Sequence, residues 1–285
     1  MIKIALDIMG GDKAPFSNIF GAIDFLKYYK HPIKIYFVGN AEIIKKTIID
    51  IPSDLLDKIE VLHTSENIDD NDKPSRIVKN KPDSSMIRSI DLLKDNHVDA
   101  VISSGNTGCL LSASFFKLGM IDKIKRPTLS AFIPSENGNF LITDVGANIF
   151  VKPIHLLQFS KMASVYMKYQ LNIDNPKIAL LNIGSEKNKG TKLTRDANKL
   201  LNKELDNFIG NIESRYIFEG KADIILSDGF TGNIVLKLIE GMTNYNFNLI
   251  SSKLNLENNN MIDRVKKLYD YEQYGATPIL GIKGL

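Results

Sequence analysis

The chain has 285 residues, 44% of them hydrophobic, with 36 basic and 33 acidic side chains, a net charge of +3 and one cysteine, Cys109. That length carries one large α/β domain or two modest ones with ample core, and so mild a positive balance argues against a nucleic-acid footprint. One cysteine excludes an internal disulfide and every multi-cysteine zinc pattern. The opening "MIKIALDIMGG" has no leader pattern, and no run of about 18 apolar residues predicts a spanning helix, so a cytoplasmic protein is expected.

Short β-branched runs alternate with longer stretches of helical periodicity, which predicts a mostly parallel sheet covered on both faces. In chain order the strands are expected at 2–6, 34–38, 59–63, 100–103, 129–133, 140–143, 177–181 and 222–226. The helices are expected at 17–29, 41–50, 85–95, 107–118, 154–169, 192–205 and 232–254. Two apolar runs flank "PSENGN", whose Asn-Gly signals a hairpin over 129–143. No fixed-period repeat appears and no Pro/Ser/Gly linker cuts the chain, so a single compact α/β unit over 1–285, with a two-lobed form of it left open, is the expectation.

The loops after the strands share a glycine-rich composition. "DIMGGDKAP" comes after the first strand, "SSGNTG" after Ile102, "DVGAN" after Ile142 and Thr143, "NIGSEKNKG" after Leu181, and "SDGFTGN" after Leu226. In a parallel sheet such loops leave at the carboxyl edge, where open α/β folds bind ligands. Glycine lets backbone N–H groups approach an oxyanion, and a helix N-terminus behind the loop adds unpaired donors. The candidate phosphate- and substrate-binding residues are therefore Asp7, Gly10, Gly11, Ser103, Gly105, Asn106, Thr107, Gly108, Asp228, Gly229, Thr231 and Gly232. Each has a plainer alternative. The glycines serve ordinary turns, Thr107 and Thr231 serve as caps, and Asp7, Asp144 and Asp228 brace loops at strand ends.

Several chemistries lack their residues. There is no G-x-x-x-x-G-K-[ST], no G-x-G-x-x-G with its later acidic partner, and no G-x-S-x-G. The histidines His31, His63, His97 and His155 have no metal spacing, so neither metal nor cofactor is expected. Cys109 at a helix start could be an activated thiol, but a small residue packing that helix onto the sheet is the simpler account.

As a set, the ordered blocks "ALDIMGGDKAP", "KPDSSM", "SSGNTG", "RPTL", "TDVGAN", "LLNIGSEKNKG", "FIGNIESRYI", "ADIILSDGFTGNIVLKLIEG" and "YGATPILGIKG" resemble the phosphate acyltransferases of bacterial phospholipid synthesis. The resemblance implies a three-layer α/β/α sandwich akin to phosphate acetyltransferases and to isocitrate and isopropylmalate dehydrogenases. It implies transfer of a fatty acyl group from acyl carrier protein to inorganic phosphate, giving acyl phosphate for a membrane-bound glycerol-3-phosphate acyltransferase. A homodimer, cytoplasmic but peripherally associated with the inner face of the cell membrane, is also implied.

By the same resemblance Lys189 and Asn233 match the family's functional lysine and asparagine, with a solvated loop lysine and a helix cap as the alternatives. The loop Ser227 to Asn233 is expected to form one wall of the phosphate and thioester site, facing "SSGNTG". Arg76, Lys79, Lys81 and Arg88, or else Lys123, Lys125 and Arg126, are the candidate docking cations for an acidic carrier protein, or ordinary surface. Residues 241–274 match the family's helical pair for dimer contact and membrane approach. Members continue past "YGATPILGIKGL" with a strand, a loop and a helix, so the chain is expected to lack that C-terminal unit. An oxidoreductase of the isocitrate dehydrogenase type and a non-catalytic carrier-binding remnant stand as alternatives.

Overall fold

The computed structural model describes residues 1–254 and 277–284. The chain divides into two compact units, Met1–Ile121 with the stretch from Ile282 onward, and Asp122–Gly281. The expected hydrophobic patterning is distributed over two sheets, one per unit, of four strands and six.

In the first unit β1 (Ile2–Asp7), β2 (Ile33–Gly39), β3 (Ile59–His63) and β4 (Ala100–Ser103) lie in the order β3-β2-β1-β4, all parallel. Side chains alternate between the faces. Ile4 and Leu6 of β1 pack into a core with Ile19, Ile23 and Leu26 of α1 (Phe16–Tyr28) and Ile44 of α2 (Ala41–Thr47). Ala5 turns the other way, into a core with Val98 and with Leu93 of α5 (Ser85–Lys94). Met86, Ile87 and Ile90 of α5 then pack on Cys109 and Ala113 of α6 (Thr107–Leu118). Two short helices intervene, α3 (Ser53–Leu56) and α4 (Ile77–Asn80), too short for periodicity to reveal.

The second unit has the order β10-β5-β6-β9-β7-β8. Here β5 (Thr128–Ser135) and β6 (Gly138–Thr143) form the expected antiparallel hairpin, pairing Ser135 with Gly138, and Gly138 takes a positive φ of 108°. Strands β7 (Ile178–Asn182), β8 (Phe208–Glu213) and β9 (Ile224–Leu226) run parallel with β6. Alternation again makes two cores. Leu141, Ile178, Leu180, Ile224 and Leu226 face α7 (Pro153–Leu171) and α8 (Lys192–Glu204). Ile142, Ala179, Leu181 and Ile225 face the first half of α9 (Gly229–Leu254), through Val235, Leu236 and Ile239.

Strand β8 escaped the sequence pattern for a physical reason. Its run "FIGNIE" is interrupted by Gly210 at φ 102°, its pairing with β7 shifts register there, and as an edge strand it buries only Phe208 and Ile212. The two-residue β10 (Ile279–Leu280) pairs antiparallel with β5. Of the helical segment expected over 241–274, residues 241–254 form the end of α9 and 255–274 lie outside the described residues.

Candidate functional site

In the first unit β1 and β4 are parallel neighbours with Asp7 paired to Ser103, so the loops after them leave the sheet side by side. Asp7 is 1% exposed and its carboxylate faces the protein, accepting from the Ser103 hydroxyl at 2.6 Å and from the Met9 amide at 3.2 Å. Burial pushes its pKa up from the ordinary 3.8, although these hydrogen bonds pull the other way. Asn18 ties the same turn by donating to the carbonyls of Asp7, Ile8 and Gly10.

The glycines permit this closeness. A Cβ on Gly10 would lie 2.6 Å from the Asp7 carboxylate and 2.8 Å from the Gly105 amide nitrogen, and Gly11 sits at φ 95°. Loop bracing is thus the role these hydrogen bonds give Asp7. Asn106 caps α6, accepting from Cys109 N at 3.0 Å while its amide reaches the Asp70 carbonyl at 3.4 Å. Thr107 and Gly108 are exposed, and the N–H groups of that first turn have no intrahelical partner. Unpaired first-turn amides of this kind are the feature by which helix N-termini contact anions in general. Cys109 is fully buried, its thiol pushed up by burial and directed at the Asp72 carbonyl, which makes it a packing residue.

In the second unit the loops after β6, β9 and β7 emerge at one sheet edge, because these three parallel strands are consecutive. Asp144, fully buried, gathers its own loop. It accepts from the amides of Gly146, Ala147, Asn148 and Leu129, and from the Asn148 side chain at 2.7 Å. Its pKa too is raised by burial against those donors.

The first turn of α9 is seated on this loop. Gly229 donates to the Asn148 carbonyl at 2.8 Å, a Cβ on it would meet Asn148 backbone at 2.7 Å, and a Cβ on Gly232 would overlap the Asp144 carbonyl oxygen. Both glycines are required by backbone approach. Asp228 and Thr231 are spent on each other, since Asp228 accepts from the Thr231 amide and hydroxyl, each at 2.8 Å, and so caps α9.

Asn233 and Lys189 keep their side chains available. Asn233 is exposed and stands beside Gly146, where an added Cβ would lie 3.9 Å from its amide carbon and oxygen. Lys189 closes the loop between β7 and α8, whose backbone is held by Asn182 donating to the Lys189 carbonyl at 3.2 Å. Its side chain is 52% exposed and only loosely paired with Glu186, at 3.9 Å. Sequence reasoning passed over Asn148 and Ser227, which anchor these loops to Pro127 and Asp144 carbonyls; their places within "DVGAN" and "SDGFTGN" were the available signal.

Of the candidate docking cations, Lys81 is committed to Asp72 at 2.6 Å, Asp69 and the Asn67 carbonyl, so it clamps a loop. Arg76 and Lys79, and Lys123, Lys125 and Arg126, are exposed. Among the described residues no group of three or more His, Cys, Asp or Glu is placed to hold a metal ion, and no helix is long and apolar enough to cross a membrane.

Comparison with solved structures gives the class first. Over 99% of this chain the fold matches 86% of a phosphotransacetylase from Streptococcus pyogenes, with a TM-score of 0.59 at 16% identity. Over 84% of each chain it matches a branched-chain phosphotransacylase from Enterococcus faecalis, with a TM-score of 0.57 at 18% identity. The architecture is therefore the α/β fold of phosphotransacylases, as expected.

Sequence narrows this further. The family described as "Fatty acid synthesis protein" matches residues 2–285, and the chain belongs to it. Relatives named "Phosphate acyltransferase" include one from Alkaliphilus oremlandii, 40% identical over all of this chain and 87% of its own length, and one from Dictyoglomus turgidum, 42% identical over 99% and 87%. The oxidoreductase alternative finds no support in these matches.

Proposed function

We propose that this chain transfers a fatty acyl group from acyl carrier protein to inorganic phosphate. The relatives named phosphate acyltransferase support acyl transfer to phosphate. The carrying observation is that β6, β9 and β7 are consecutive and parallel, which puts the start of α9, bearing Asn233, and the loop bearing Lys189 at one edge of one sheet.

Phosphate near neutral pH is already an oxyanion, so it needs no activated side-chain nucleophile. A phosphate oxygen attacks the thioester carbon, the carbonyl oxygen gains negative charge, and the tetrahedral species collapses to acyl phosphate with expulsion of the carrier thiol. Asn233 donates its side-chain N–H to the developing oxyanion, and the Lys189 ammonium offsets charge on phosphate and oxyanion. Within the first unit, the exposed first-turn amides of Thr107 and Gly108, with the Gly10, Gly11, Ser103 and Gly105 turns behind them, are a candidate anion contact. Asp7, Asp228, Gly229, Thr231 and Gly232 contribute by fixing those loops.

The finer readings follow the same line. The carrier protein is acidic, and Arg76 with Lys79, or Lys123 with Lys125 and Arg126, are exposed cations that would receive it. A cytoplasmic homodimer, peripherally associated with the membrane where a glycerol-3-phosphate acyltransferase takes the product, completes the proposal. Supporting the dimer, Ile234, Leu238, Tyr245 and Leu249 are exposed at spacings of four, seven and four, one stripe of α9.

The test is acyl-phosphate formation from acyl carrier protein and inorganic phosphate, trapped with hydroxylamine. Lys189→Ala and Asn233→Ala are each expected to lower turnover about 100- to 1000-fold. Carrier binding with no product from the unaltered chain would select the non-catalytic alternative instead.

A further inference from the structure

The second unit contains a groove of ≈ 740 Å3 between α9, the hairpin strand β5 and the turn at 214–218. Phe132, Ile133, Ile217, Leu236, Ile239 and Met242 are among its lining. Of its charged lining groups, Arg215 is bound to Glu213 at 2.5 Å and Glu240 to Lys237 at 2.8 Å, and Glu136 is exposed beside the hairpin turn. The groove is therefore mostly apolar along α9, with its remaining charge at the exposed hairpin end, which favours a hydrocarbon occupant over a polar one.

Its position and length select further. The α9 residues that line it run from Val235 to Ile250, which at 1.5 Å per residue is a trough about 22 Å long. Its upper end begins within one helical turn of Asn233. An extended carbon chain advances about 1.2 Å per bond, so the trough accommodates roughly 18 bonds. Of the exposed stripe of Ile234, Leu238, Tyr245 and Leu249, Leu238 also borders the groove, and the other three lie outside its lining. Val235, Ile239, Thr243, Asn246 and Ile250 are centred about 110° round α9 from that stripe.

We propose that this groove holds the fatty acyl chain, with the thioester carbonyl at Asn233 and the methyl end toward Ile250. The assignment rests on the role of Asn233 given above. α9 then acts as a ruler: its first turn serves the reacting carbonyl and its next four turns measure the chain. Each further methylene seated in the groove should tighten binding about fourfold until the trough is full.

Thr243 supplies the test, because it lines the groove, is only half-buried and lies about 15 Å along the axis from Asn233, or roughly 12 carbon–carbon bonds. Thr243→Trp should lower kcat/KM for the 16-carbon acyl carrier protein at least tenfold and change the 8-carbon substrate less than twofold. Thr243→Leu, a smaller intrusion, should give the same ordering with a smaller difference if the tryptophan variant fails to fold. In parallel, cis-parinaric acid, an 18-carbon fluorescent polyene, should bind the full chain, be displaced by palmitate and not by octanoate, and lose affinity in Thr243→Trp.

Equal effects on both chain lengths, or none, would overturn the assignment. So would a change in oligomeric state by light scattering with the chain-length profile unaltered, since that outcome places a second copy in the groove. If the unaltered chain makes no acyl phosphate at any length yet parinaric binding remains sensitive to Thr243→Trp, the transfer reaction fails and the hydrocarbon site stands.

Discussion

The two units solve the same local problem with different means. Each places a buried aspartate at the end of a central strand, Asp7 as the last residue of β1 and Asp144 just past β6, and each has a glycine soon after it. Asp7 ties two strands together by accepting a hydroxyl from Ser103 at the end of β4. Asp144 instead draws in backbone amides of its own loop, and α9 then sits on that loop through Gly229 and Gly232. The first arrangement leaves exposed backbone at the start of α6, whereas the second leaves two exposed side chains, Asn233 near the start of α9 and Lys189 on the loop before α8. The lesson is that a glycine-rich loop is not one kind of site.

That contrast is sharpest at the glycines themselves. Gly232→Ala would drive a methyl group into the Asp144 carbonyl and the Ser227 hydroxyl, neither of which is free to yield. It should cost about 3 kcal/mol in stability and abolish transfer, because Asn233 moves with the displaced turn. In the first unit Gly108→Ala meets the Pro74 ring at 3.0 Å and the Asn106 Oδ1 at 3.4 Å, on an exposed helix turn, so its urea midpoint should shift little. Equal losses at the two positions would erase the distinction between packed and ligand-facing glycines.

An intermediate effect is expected at Asp144. Five donors point at its carboxylate between 2.7 and 3.3 Å, and all belong to backbone amides or to Asn148. Asp144→Asn keeps the shape but turns one acceptor into a donor, which leaves buried N–H groups facing one another. The expected loss is about 2–4 kcal/mol, read by chemical denaturation. A near-neutral result would mean that the loop is held by α9 alone.

How much of this could be read from the sequence depends on the scale of the signal. Strands β1 to β4 and the longer helices between them were legible because alternating apolar residues such as Ile4, Ala5 and Leu6 address two different cores. The hairpin was legible through its Asn-Gly. The division into two sheets was not, because a parallel strand looks the same whichever sheet it joins, and no linker marks the boundary near Ile121. Five loops that a single sheet would gather at one edge leave from two edges instead.

The site was legible unevenly too. Lys189 and Asn233 came from resemblance to a family; local pattern alone left a loop lysine and a cap. The cap proved to be Asp228, five residues earlier, whose bond to the Thr231 amide frees Asn233 from that duty. The groove along α9 was hidden, because Phe132 and Ile217 are brought to Leu236 and Ile239 only by the tertiary fold.

The smallest effect, and the one most specific to the first unit, is a pH dependence. Asp7→Asn preserves the contacts to Ser103 and Met9 in outline, since the amide oxygen still accepts and the Ser103 hydroxyl can reorient. What it removes is a buried ionisable group whose pKa burial has raised above 3.8. A raised folded-state pKa means that the folded chain binds this proton more tightly than the unfolded chain. The stability that Asp7 adds is therefore complete below the unfolded value and is lost as pH climbs through the folded one. Asparagine has no such term, and Asp144 titrates in both proteins and cancels. The unfolding free energy of the parent minus that of Asp7→Asn should accordingly fall as pH rises from about 4, then level off once Asp7 is ionised in both states. A difference that rises with pH instead would mean that the Ser103 hydroxyl and the Met9 amide outweigh burial. Asp7 would then be an ionised anchor of the kind that the five donors around Asp144 attempt, and the two units would be alike after all.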